Sequence, residues 1–94
     1  MIHKAVYEMN KSYAQNIHDV LTKYMDEHNY NSAAAFVHDF NELVPDAPVA
    51  ESTFRNWLRQ QSLPNLYYLV RLSQFMDIDL YDLIYNYRLE GEDA

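Results

Sequence analysis

Apolar residues recur at intervals of three and four along most of this chain, the spacing of helices with one inward face. Tyr13, Ile17, Val20, Leu21, Tyr24 and His28 form the first such stripe. Ser12, with Gln15 three residues on, has capping-box spacing, so the first helix is predicted over about 12–29. Asn29-Tyr30-Asn31-Ser32 reads as a turn in which Ser32 caps a second helix. That helix, over 32–43, carries Ala33, Phe36, Val37, Phe40 and Leu43 on one face. Val44-Pro45-Asp46-Ala47-Pro48 stops it, because proline lacks an N–H and disfavours helix in the preceding residue.

The third helix holds Val49, Phe54, Trp57 and Leu58, and the polar run Gln60-Gln61-Ser62 ends it. Asp46 as an N-cap with Pro48 in the first turn offers an earlier start for the same helix. After a Leu63-Pro64-Asn65 loop, Leu66, Leu69, Val70 and Met76 make a fourth stripe, joined by Leu72 and Phe75. Asp79 caps a short fifth helix containing Leu80, Leu83 and Ile84. Residues 1–11 and 85–89 alternate weakly and suit either an extended strand or helical extensions of their neighbours. The single Gly and the lack of Asn-Gly or Asp-Gly turns argue against a hairpin-rich fold. The expectation is a compact all-α, five-helix domain over 12–88. An N-terminal extension at 1–11 and an acidic tail at 89–94 flank it.

Composition narrows the chemistry. With no Cys there is no disulfide framework, thiolate zinc site or thiol redox chemistry. The longest apolar runs are no longer than such stretches as Ala33-Ala34-Ala35-Phe36-Val37, too short for a membrane span. Met1-Ile2-His3-Lys4 leads into no apolar signal segment, so a cytoplasmic location is expected. His3, His18, His28 and His38 form no i, i+4 pair and have no carboxylate at metal spacing; no metal or other cofactor is expected. His28 suits a helix C-terminus. Nor does any Ser/His/Asp set, phosphate-cradling Gly loop or paired-acid arrangement stand out, so catalysis is not expected.

The charge needs a map rather than a total. Seven Lys+Arg against fourteen Asp+Glu give −7, which argues against a protein that coats nucleic acid indiscriminately. From Ser52 to Met76, however, stand Arg55, Arg59 and Arg71 and no acid, a +3 window; the rest carries −10. An unbroken cluster of these arginines favours DNA as the partner, whereas acids from 39–51 lying over it favour a protein.

That window lies inside a stretch with a recognisable pattern. Val49-Ala50-Glu51-Ser52-Thr53-Phe54-Arg55-Asn56-Trp57 is followed by Pro64, Leu66, Leu69, Leu72 and Met76, then Ile78, Leu80, Leu83 and Ile84. At this gapless spacing the segment resembles the XRE family, the λ-repressor-like helix-turn-helix proteins. The resemblance implies a sequence-specific regulator of transcription that lays its third helix in the major groove of double-stranded DNA, usually as a dimer. By position, Glu51, Ser52 and Asn56 would face base edges, with Thr53 beside them. Arg55 and Arg59, one turn apart, suit phosphate or guanine, and Gln60 and Gln61 fall near a backbone-contacting position. Glu51 would read a cytosine amine or repel phosphate. Trp57 aligns with a core position.

Tyr67 and Tyr68, and Tyr81, Tyr85 and Tyr87, suit either stacking on bases or a dimer face. For the last three the resemblance favours a homodimer interface. The segment departs from the family where Leu58 replaces a Glu and Gln60 a Gly. Its link between helices two and three is also longer, and Val37 stands at a small-residue position. A long link, an apolar Leu58 predicted to be exposed and a −7 balance suit an alternative, an acidic protein-binding domain. Such a domain would act as an antirepressor, a repressor modulator or a DNA mimic.

Overall fold

The structure, a computed structural model, describes the backbone over residues 2–84 and the side chains over 13–84. It is all-α, with five helices and no strand among the described residues. The helices are α1 (Ile2–Glu27), α2 (Ala33–Leu43), α3 (Glu51–Leu58) and α4 (Leu66–Met76), followed by α5 over 80–84. The first helix begins ten residues earlier than the Ser12 signal predicts. Ser12 is an interior residue of α1, and Gln15 donates forward to Asp19 at 3.0 Å. The alternation over 1–11 thus resolves, from Ile2 on, as helix. The segment 85–89 and Tyr85 and Tyr87 lie outside the described residues.

Local signals account for most of the remaining boundaries. The Ser32 hydroxyl accepts from the Ala35 N–H at 3.1 Å, and the Asn65 side chain accepts from the Tyr68 N–H at 3.0 Å. Asp79 accepts from the Tyr81 N–H at 2.8 Å to open α5. Three helices stop at a residue in the left-handed region: Asn29 (φ 62°), Gln60 (φ 61°) and Asp77 (φ 57°). Each reversal lets the next N–H reach back five residues: Tyr30 to Met25, Gln61 to Asn56, Ile78 to Ser73. His28 follows the last residue of α1 and stacks on Tyr24 with centroids 4.0 Å apart.

The core is aromatic at its centre. Phe36 of α2 stacks on Phe54 of α3 at 4.5 Å and meets Phe75 of α4 edge-on at 5.3 Å. Tyr24 of α1 and Tyr30 of the α1–α2 turn complete the ring around it. Ile17, Leu21, Val37, Phe40, Leu72, Met76 and Leu83 close the remaining sides. Trp57, 3% exposed, is a core residue as its position implied. Three positions assigned to inward stripes are not inward: Leu43 is 73% exposed, Leu66 66%, and His28, just past the end of α1, is exposed as well. Each sits at or just past a terminus of its helix, where the face continues past the last element available to cover it.

The two buried polar residues among the described ones, Asn16 and Ser73, have partners, Ser73 donating to the Val70 carbonyl at 2.7 Å. Asn16, 1% exposed, donates to the Leu83 carbonyl at 2.7 Å, tying α1 to α5. The half-buried Tyr30 hydroxyl donates to Asp39 at 2.9 Å. Burial and that carboxylate push the Tyr30 phenol up to about 12.

Candidate nucleic-acid interface

α3 is an eight-residue helix, too short to be stable by itself, so its position depends on what grips it. It packs against both α1 and α2. Phe54 and Trp57 are its buried anchors, and Leu58 lies half-buried against the core. Leu58 is therefore not the exposed apolar group expected of it. Its carbonyl, near the C-terminal end of α3, lies 2.7 Å from Nδ1 of His18 on α1. A carbonyl only accepts, so that nitrogen carries the proton and donates.

The link 44–50 is held by buried side chains and by side-chain hydrogen bonds. Val44, Ala47 and Val49 are buried along it. The Asn41 amide pairs with both backbone groups of Val49, accepting from its N–H at 2.9 Å and donating to its carbonyl at 3.0 Å. The Tyr68 hydroxyl donates to the Pro48 carbonyl at 2.8 Å. Asp46 does not cap α3, which begins at Glu51 behind Ala50 with no side-chain cap. Its carboxylate instead accepts from Tyr67 at 3.0 Å and from Arg71 at 2.6 Å. These two bonds, the tyrosine's first, lower the Asp46 carboxyl from its ordinary value, and the same carboxylate raises the Tyr67 phenol. Tyr67 and Tyr68 are thus engaged with the link.

At about 100° per residue, Glu51, Ser52, Asn56, Arg55 and Arg59 fall within one stripe, and Thr53 falls outside it. Ser52, Arg55 and Arg59 are exposed; Glu51, Thr53 and Asn56 are half-buried; Gln60 and Gln61 are exposed beyond the helix end. From Glu51 to Arg59 no apolar side chain is exposed. Gln60 occupies the left-handed position that ends α3, the conformation a Gly would adopt without steric cost.

The arginine window does not stand free of acids. Glu51 and Arg55, four apart, form an ion pair along α3, and Asp46 pairs with Arg71. Arg71 belongs to the clamp on the link rather than to the outer stripe. Among the described residues, Arg59 alone of the three has no ion pair with an acid. Tyr81 is exposed at the start of α5.

The Asp46–Arg71 pair is one case of the acids from 39–51 set against the arginines, whereas His18, Asn41 and Tyr68 have no sequence signal as determinants of this surface. Their partners lie eight to forty positions away, beyond any local spacing rule. Among the described residues no group of three or more His, Cys, Asp or Glu is arranged to hold a metal, and no helix is long and apolar enough to cross a membrane. No family model, curated protein or solved structure matches the chain.

Proposed function

We propose that this chain is a cytoplasmic, sequence-specific DNA-binding transcriptional regulator of the XRE helix-turn-helix type. It has no enzymatic step and engages double-stranded DNA through α3. One observation carries the reading: the outer stripe of α3 presents Glu51, Ser52, Arg55, Asn56 and Arg59 with no exposed apolar side chain. Those are groups that read base edges or phosphates, and the stripe lacks the Trp and Tyr anchors that, with Arg, are enriched at protein interfaces. The Glu51–Arg55 pair does not remove Arg55 from use. An exposed i, i+4 pair contributes about 0.3–0.5 kcal/mol, and a bidentate arginine–guanine contact discriminates by about 1–3 kcal/mol. The acidic remainder of the chain suppresses sequence-independent attraction to phosphate. Tyr81 is exposed, as a homodimer contact would need.

The test is gel retardation of the DNA upstream of the protein's own gene at ~50 mM salt, where phosphate contacts are strongest. Retardation weakened by Arg55→Ala with Arg59→Ala supports the reading. No retardation of any genomic fragment rejects it.

A second reading, a domain that binds a repressor or another regulator as antirepressor, modulator or DNA mimic, has its own support. Acids from the 39–51 region do meet two of the three arginines, the pattern expected for a protein partner. A pull-down that recovers one stoichiometric protein unaffected by nuclease would place this reading first.

A further inference from the structure

We propose that His18 of α1 is a positioning residue for the C-terminal end of α3, setting the backbone from which Arg59 projects; this rests on the DNA-binding reading above. A helix leaves its last four carbonyls without intrahelical partners. In α3 three of them, on Arg55, Asn56 and Trp57, accept from the N–H groups of Arg59, Gln61 and Gln60. The fourth, on Leu58, meets no backbone N–H among the described residues and accepts instead from Nδ1 of the half-buried His18 at 2.7 Å. α3 has no side-chain cap at its start; at its end the cap comes from another helix.

The capped carbonyl belongs to the peptide that joins Leu58 to Arg59. A peptide unit is planar, so holding its oxygen constrains the plane that ends at the Arg59 Cα. Arg59 is exposed and has no ion pair with an acid among the described residues, and the left-handed Gln60 and exposed Gln61 follow it. The helix end is also where partial negative charge gathers, which strengthens a donated N–H. An imidazole has two torsions to fix, so capping by His18 costs less ordering than capping by a Lys or Arg. His18 therefore acts on DNA through Arg59 and touches none itself. An arginine offered from a fixed backbone needs less ordering on binding, and affinity rises accordingly.

The experiment has two arms, both on the full chain. Imidazole nitrogen NMR shifts at alkaline pH should show a neutral His18 ring with its proton on Nδ1; a proton on Nε2 overturns the inference. The second arm is gel retardation of the best duplex by wild type, His18→Ala, Arg59→Ala and the double variant. His18→Asn joins them, since its amide N–H stands near the place of Nδ1. His18→Ala should weaken binding roughly fivefold, and His18→Asn should recover most of that. Combined with Arg59→Ala, His18→Ala should add less than about twofold, because both act through one group. A fully additive loss overturns the inference, since a merely loosened fold weakens binding whether or not Arg59 is present. Unchanged binding in His18→Ala, or no recovery in His18→Asn, overturns it too, and each of these results leaves the DNA reading intact. If His18→Ala does not fold, the tautomer and the binding of His18→Asn against wild type decide. Failure of wild type to retard any DNA overturns both.

Discussion

Asp46 and Arg71, twenty-five positions apart, meet through a 2.6 Å ion pair that fastens the link ahead of α3 to the middle of α4. Tyr67, one turn before Arg71, donates to the same carboxylate. Their hydrogen bonds hold the Asp46 carboxyl below its ordinary value, so the folded protein resists protonating it. A lowered carboxyl contributes stability that is complete above the unfolded value, about 3.9, and is lost as pH falls through the folded one. Urea unfolding of wild type and Asp46→Asn should then show a constant gap above about pH 5 that narrows below about pH 4. A gap independent of pH would mean that the charge of Asp46 does not hold the link.

Gln60 is expected to be a costly residue at its position. A non-Gly residue in the left-handed region costs about 1–2 kcal/mol, partly offset because Gly loses more chain entropy on folding. Gln60→Gly should raise the unfolding free energy by about 0.5–1 kcal/mol. Asn29→Gly, at a residue with a similar φ, should gain less, since Asn tolerates that region. Chemical denaturation of the two variants side by side tests the difference, and equal gains would contradict it.

Asn41 satisfies both backbone groups of Val49, the residue two before α3. In Asn41→Ala these groups lose their side-chain partner at a buried residue, a loss of about 1–3 kcal/mol. The Val49 amide proton should exchange faster in the variant, while amides in the middle of α2 keep protection nearer to the global value. Uniform acceleration across the chain would instead indicate that Asn41 acts on global stability alone.

Much of the fold was legible in the sequence because its signals are local. The spacing of Phe36, Val37 and Phe40 and the caps at Ser32 and Asp79 act within one or two turns, and each is found in the structure. Ser12 misled for the same reason. Its spacing to Gln15 satisfies a cap rule, but the residues before it also continue the helix, and a cap is needed only where a helix starts. Leu43 and Leu66 show the other limit: periodicity assigns a face, and only packing determines what covers it.

The sequence by itself determined the all-α class, the approximate extent of α2, α4 and α5, the inward place of Trp57 and the polar makeup of the α3 stripe. Only the tertiary structure decided which arginines remain open on that stripe. The +3 window became three different situations: Arg55 tied to Glu51, Arg71 tied to Asp46, and Arg59 with no acid partner among the described residues. It likewise decided that His18, forty positions away, would hold the end of α3. The physical reason is one of range. Helical periodicity and capping are written in neighbours three or four apart, whereas ion pairs and side-chain clamps form between positions that only packing brings within 3 Å.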